Sequence, residues 1–373
     1  MTSSVTTTRR RRFARQPEFK TPGSYAGRLK LRQRDVEIVA AVAQHRFLNT
    51  EQVIKLFACA CPVVETTGVR NGQPAVITTK QHRPNCACTC GAGHGDHAAT
   101  CPNLFKTDKH VASRLLELFQ AGFLERPVVQ MQLRVKNGVI TPGSVPMVYA
   151  VTKEGLNLIG EERRKALGGG KMSWVSKINE GGRVFMEHTL AVADVSVGLD
   201  VALRFNTTLE RLSDRQLKAG MKADRQASVR PYGLRVKYKS GKLSAVCDLA
   251  FAIGDKMARK RWNFLAEVDL GHMPVKRRGL SQTSIARKLV AYAKAFEDGL
   301  HKEAFDWRGF RVLVLTTSPE RVASCVKAVA ELFGSSSVAR IFLFGTLDAA
   351  QDMLNYTFVD GRGRPSKLIE ATE

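Results

Sequence analysis

The sequence predicts an α/β (α+β) chain in two halves: an N-terminal winged helix carrying a Cys/His-rich insertion, then a C-terminal mixed sheet flanked by helices. Three observations predict it. Helical segments closed by a hairpin fill the first half, strand-like apolar runs alternate with helical segments in the second, and a Gly- and Lys-rich stretch divides them. At about 100–200 residues per domain, 373 residues suggest two or three domains, and 44% hydrophobic content suffices for ordinary cores.

Charge names the partner class before any element is placed. Fifty-eight Lys and Arg against 34 Asp and Glu leave a net +24. The first 34 residues hold ten basic side chains, with Arg9, Arg10, Arg11 and Arg12 in one run, and a single acid, Glu18; that is +9, leaving +15 for the rest. A basic arm supplementing a basic folded surface points to nucleic acid. Membrane insertion is excluded as the alternative, because apolar stretches such as 190–203 are broken by Asp194 and Asp200. No apolar core follows the arginines, so a secretory signal is not expected; the expected location is the cytoplasm, associated with the nucleoid.

QRDVEIVAAVAQ from Gln33 places Val36, Ile38, Val39 and Val42 at helical spacing, and NTEQVIKLFA begins a second helix that Asn49 or Thr50 can cap. Pro62 marks its end. A third helix lies in TDKHVASRLLELFQAGFLERP, with Gly122 as C-cap. Asn137-Gly138 then signals a two-residue hairpin turn, and the strand MVYAVT leads into KEGLNLIGEERRK. Three helices and a hairpin are the order of a winged helix, whose third helix can enter the major groove. Lys109, His110 and Arg114 on that helix are the candidate DNA contacts, although the same module can serve protein contacts alone.

Between helices two and three lie about forty residues, too many for a plain turn in a compact domain. Cys86, Cys88, Cys90 and Cys101, with His94 and His97, fall within this stretch, and Cys59 and Cys61 precede them. Thiolates and imidazoles at this density point to structural zinc, which would fold a Gly-rich segment lacking its own core. Reduced free thiols are the alternative. The spacing leaves open which four residues bind.

After the linker, VFMEHTLAVADVSVGLDVALRF is helical, with Glu187 and His188 near its start. KLSAVCDLAFAIG and KRWNFLAEVDLG read as strands, and alternation puts Glu267 and Asp269 on one face of the second. Asp248 ends a nearly all-apolar run, where a charge is costly unless paired or metal-bound. A hairpin of these strands would bring Asp248 beside Glu267, an oxygen-rich setting for Mg²⁺ or Mn²⁺. TSIARKLVAYAKAF sets Lys288 and Tyr292 on one helical face, and FRVLVLTTSPERVASCVKAVAELF with SVARIFLFGTL completes a strand, helix, strand order.

The ordered set RQRDVEIVAAVAQHRFLNTEQVIKLF, RLLELFQAGFLERP, VYAVTKEGLNLIG, MEHTLAVADV, CDLAF, FLAEVDLG, IARKLVAYAKAF and VLVLTTSPERV resembles the replication-relaxation family of plasmid and integrative-element proteins. It is also similar to mobilisation relaxases built on a restriction-endonuclease-like core. The resemblance implies a nuclease scaffold in which Asp248 and Glu267 hold Mg²⁺ or Mn²⁺, with Glu187 as a further ligand or base. Where that scaffold has Glu-x-Lys, this sequence has Asp269 two residues after Glu267, so Lys288 is the candidate replacement cation. A His-hydrophobic-His motif is missing, and GGGK at 168–171 lacks Walker spacing. Tyr292 as covalent nucleophile is a minor alternative.

The expected organisation is a basic arm (1–31), a winged helix (32–166) with its zinc-type insertion at about 59–103, a linker (167–183), a nuclease-like domain (184–350) and a tail (351–373). The expected function is a metal-dependent DNA nickase or relaxase, with Asp248, Glu267, Asp269 and Lys288 carrying strand cleavage, acting on a specific double-stranded site in plasmid replication, mobilisation or transfer; other replication or transfer proteins are further partners and a homodimer is compatible with the role. The alternative is a non-catalytic DNA-binding accessory or transcription regulator with a degenerate nuclease core.

Overall fold

The computed structural model describes residues 29–58, 63–70, 73–80, 108–127, 135–136, 139–140, 146–166, 174–204, 206–239, 241–258 and 260–369. The basic run Arg9 to Arg12 and all eight zinc candidates (Cys59, Cys61, Cys86, Cys88, Cys90, His94, His97 and Cys101) lie outside the described residues. Within the insertion, strands β2 (Val63–Arg70) and β3 (Gln73–Lys80) pair antiparallel over their full length.

Helix α1 (Gln33–His45) turns Ile38, Val39 and Val42 inward. Strand β1 (Leu48–Asn49) leads into α2 (Thr50–Phe57), whose first turn is closed by Asn49: its Oδ1 accepts from the Gln52 amide at 2.9 Å while the Gln52 side chain accepts from the Asn49 amide. Helix α3 (Asp108–Gln120) buries Val111, Leu115, Leu118 and Phe119, and ends where Gly122 adopts φ +86°. Strand β4 (Leu124–Glu125) and β7 (Val148–Val151) join β1 in a three-stranded antiparallel sheet in the order β1-β7-β4. Between them β5 (Val135–Lys136) and β6 (Val139–Ile140) pair with Lys136 opposite Val139, which leaves two residues for their connection, as Asn137-Gly138 predicts. Helices α4 (Lys153–Leu158) and α5 (Glu161–Ala166) follow.

The expected linker at 167–183 is partly helix. Helix α6 (Trp174–Arg204) starts inside it and breaks only at Gly182, with φ +65° and ψ −163°. Beyond the break α6 serves both halves. Ala193 and Val197 pack with the α1, α2 and α3 core, whereas Val195, Leu199 and Leu203 pack on the large sheet. The Gln52 amide group also donates to the Leu190 carbonyl at 2.8 Å.

That sheet has seven strands in the order β16-β15-β14-β13-β12-β11-β8. Strands β12 (Arg261–Asp269), β13 (Arg311–Thr316) and β14 (Phe342–Thr346) are parallel neighbours; β11 (Leu249–Asp255) and β8 (Leu209–Arg211) continue antiparallel on one side, β15 (Phe358–Asp360) and β16 (Pro365–Ser366) on the other. The expected tail at 351–373 therefore supplies the last two strands on one side of the sheet, with β16 at the edge, and Phe358 and Leu368 are fully buried. Short helices α7 (Asp214–Lys218) and α8 (Ala223–Gln226) precede a separate ribbon of β9 (Leu234–Tyr238) and β10 (Gly241–Ala245). KLSAVCDLAFAIG is thus two strands, because the chain leaves the ribbon at Ala245 and joins the large sheet at Leu249. Helices α9 (Ile285–Glu297), α10 (Leu300–Phe305) and α11 (Pro319–Phe333) are the last α-helices among the described residues; α9 and α11 cover the sheet face opposite α6. A mixed α/β fold flanked by helices results. Among the described residues no helix is long and apolar enough to cross a membrane.

Close packing makes one glycine decisive. A Cβ on Gly198 of α6 would lie 2.0 Å from the Ala350 carbonyl oxygen. Gly198→Ala is expected to cost about 1–3 kcal/mol of stability by forcing α6 away from the 3₁₀ turn Leu347–Gln351, read as a lower urea midpoint.

Candidate functional site at the ends of the central strands

Strand β12 carries two faces of different chemistry. Phe264, Ala266 and Val268 join the core under α6, while Leu265, Glu267 and Asp269 point toward α9 and α11. The alternation in the sequence places Glu267 and Asp269 on one face, and so does the structure.

Glu267 is 3% exposed and both its oxygens are engaged. Lys288 Nζ donates to Oε2 at 2.5 Å, and the Tyr292 hydroxyl donates to Oε1 at 2.6 Å. Both partners come from α9, one helical turn apart, and Ser284 fixes the start of that helix by accepting from the Arg287 amide. Asp248 stands in the link between β10 and β11 rather than at a strand end. Its Oδ2 accepts from the Val268 amide at 2.9 Å and lies 3.4 Å from His188 Nε2, which is also 3.0 Å from the Val268 carbonyl. Two carboxylates, one ammonium and one imidazole therefore meet where β12 ends.

Their proton affinities follow from that crowding. Burial, with Lys288 opposing and Asp248 adding repulsion, pushes Glu267 up to about 7. Burial would raise Asp248 too, but His188, the Lys288 charge and the Val268 amide outweigh it and hold Asp248 below the usual carboxylate range. The hydrogen bond to Asp248 raises His188 despite burial, and the neighbouring carboxylates raise Lys288 despite its own desolvation. Burial and the Glu267 charge push the Tyr292 phenol well up. Fully buried and donating to Glu267, Tyr292 is no exposed covalent nucleophile.

Two predicted residues sit elsewhere. Glu187 accepts from Arg183 at 2.8 Å along its own helix, and His188 is the α6 residue that reaches Asp248. The signal was present in the spacing: His188, Val192, Val195 and Leu199 form the α6 stripe that faces the sheet. Asp269 is held by Arg321 of α11 and by the Thr316 hydroxyl at 3.1 Å, while its other oxygen accepts from the Gly271 amide at 3.1 Å. It fixes the turn after β12, with Arg321 also donating to the Met273 carbonyl.

Among the described residues no group of three or more His, Cys, Asp and Glu side chains is set for a metal ion. Asp248 and Glu267 nonetheless fit a divalent cation in one respect: two carboxylates converge where β12 ends, balanced there by the Lys288 ammonium and the His188 imidazole, and a cation beside them would favour their ionised forms. Mg²⁺ takes only one or two protein carboxylates when phosphate and water supply the rest.

On α3, Lys109 and His110 are exposed at the start of the helix. Arg114, by contrast, turns inward to Asp35, Glu117 and the Lys30 carbonyl, so it is a fold contact.

A family model described as replication-relaxation matches residues 97–306, more than half the chain and the span that contains Asp248, Glu267 and Lys288. No curated protein matches the chain, and no solved structure does. The match covers more than half of the chain, and the chain belongs to the replication-relaxation family.

Proposed function

We propose that the chain binds DNA and cuts one strand at a specific site, acting in the replication, mobilisation or transfer of a plasmid or other mobile element. The observation that carries the reading is the convergence of Asp248, Glu267 and Lys288 at the end of a parallel strand of a mixed sheet. Asp248 and Glu267 would hold Mg²⁺ or Mn²⁺, which supplies a lowered water pKa and charge neutralisation at phosphate. Lys288 brings a cation to the position that Asp269 does not fill, and would hold the scissile phosphate oxygen while orienting the attacking water. His188, protonated more readily than a free imidazole, keeps Asp248 ionised and fixed. The N-terminal helices and the β5/β6 hairpin are read as a winged helix that presents Lys109 and His110 to the duplex. The cysteine cluster is read as a structural zinc site that braces it.

A second reading has its own support. Both oxygens of Glu267 are already bonded to Lys288 and Tyr292, an arrangement that also suits a locked, non-cutting core kept for DNA contact. Incubation with supercoiled plasmid carrying the element's own origin separates the two. Open-circular product with Mg²⁺ or Mn²⁺, absent with chelator, is expected for the first; binding without nicking under every metal condition supports the second.

A further inference from the structure

The ribbon β9/β10 has two unlike faces. Leu234, Val236, Leu243 and Ala245 are buried against α9, whereas Arg235, Lys237, Lys242 and Ser244 are exposed. Register puts Lys237 directly opposite Lys242. Like charges facing each other across an antiparallel pair destabilise it. Among the described residues no carboxylate lies within ion-pair distance of Arg235, Lys237 or Lys242 to offset this. The turn adds a third lysine, Lys239, at φ +51°, where glycine or asparagine would be less strained.

This face continues into a cleft of about 800 Å³ whose walls carry four basic side chains, Lys222, Arg225, Arg230 and Arg235, against two acids, Asp224 and Glu303. Residues 215–245 contain nine Lys and Arg and one acid, Asp224, a net +8. A third of the whole chain's excess charge thus lies in 31 residues. The cleft is also joined to the candidate site: Ser244 and Val246 line it, Cys247 and Asp248 follow directly in the chain, and the α9 that carries Lys288 underlies the ribbon.

We propose that the outer face of the β9/β10 ribbon, with the cleft beside it, is a second DNA-binding surface that holds the phosphodiester backbone next to Asp248 and Glu267, separate from the arm and from α3. A polyanion is the chemistry that relieves the Lys237/Lys242 repulsion, and a two-stranded ribbon is narrow enough to follow a DNA groove. The inference rests on the DNA-binding reading and deepens it by assigning the surface.

The test is equilibrium binding of the full chain to origin duplex in chelator, so that cleavage plays no part, across a salt series. Lys237→Gln/Lys242→Gln is expected to bind about 30-fold more weakly than wild type at ~0.15 M salt and to flatten the log–log salt slope by about 1.8, the effect of two lost phosphate contacts. Its thermal stability should equal or exceed that of wild type, because the facing charges are gone. A control, Lys256→Gln/Lys327→Gln, removes the same charge from exposed positions away from the ribbon and its cleft and is expected to change the slope little. Wild-type slope in the ribbon variant, or an equal loss in the control, overturns the assignment and leaves the face to an acidic protein partner. A wild-type chain that shows no salt-dependent binding overturns the DNA-binding reading itself, whereas absence of nicking leaves the ribbon test intact.

Discussion

Arg114→Ala is expected to destabilise the N-terminal half by about 3–5 kcal/mol while leaving the intrinsic salt dependence of DNA binding unchanged. Asp35 is 0% exposed, and Arg114 holds it with two bonds, Nε to Oδ1 at 2.7 Å and Nη2 to Oδ2 at 2.5 Å. The same guanidinium reaches Glu117 at 2.6 Å and the Lys30 carbonyl at 2.8 Å. Removing it leaves a buried carboxylate in the junction of α1 and α3 with only the Arg32 amide, at 2.7 Å, as a remaining donor among the described residues. Arg114→Lys recovers only part of the loss, since an ammonium lacks the planar fork that meets both oxygens. Urea unfolding measures the first effect and a salt titration the second. An Arg114→Ala chain of wild-type stability whose salt slope falls by about one would restore Arg114 to the DNA interface.

Lys288→Met is expected to cost about 2–4 kcal/mol at pH 8, discounted from the fully buried case because the lysine side chain is 24% exposed. The cost arises because Glu267, 3% exposed, would keep only the Tyr292 hydroxyl. Its sign with pH is fixed by linkage. Glu267 has a folded-state pKa raised to about 7, so its favourable contribution is complete below its unfolded pKa and is lost as pH rises through about 7. Without Lys288 the raise is larger, and the variant's deficit should shrink on going from pH 8 to pH 5. Chemical denaturation at the two pH values checks this; a deficit that grows at pH 5 contradicts the pairing. Glu267→Gln/Lys288→Met should recover much of the stability, since a neutral pair carries no stranded charge.

Much of this arrangement was legible in the sequence where period and chemistry agree. Alternation in RWNFLAEVD gave the common face of Glu267 and Asp269, and the four-residue spacing of Lys288 and Tyr292 gave their shared helical face; both meet in the fold. The capping of α2 by Asn49 was similarly local. What was not legible depends on long-range partners. Nothing near Asp269 in the chain announces Arg321, 52 residues later, and nothing near Arg114 announces Asp35, 79 residues earlier. Glu187 and His188 are adjacent and both titratable, and only the direction of α6 against the sheet decides that His188 meets Asp248. Two features are hidden for a related reason: Gly182 interrupts a helix without ending it, and the polar stretch after 350 hides Phe358 and Leu368, which lie in the core.

The central claim is that Asp248, Glu267 and Lys288 cut DNA. Its most direct measurement is single-turnover nicking of supercoiled origin plasmid with Mn²⁺ by Asp248→Asn beside wild type. Asn keeps the shape and the hydrogen bond from the Val268 amide but removes the anionic oxygen. The expected result is at least a 100-fold lower nicking rate at unchanged DNA affinity, an effect of roughly 2.7 kcal/mol or more on the barrier. Nicking by Asp248→Asn at the wild-type rate would contradict it.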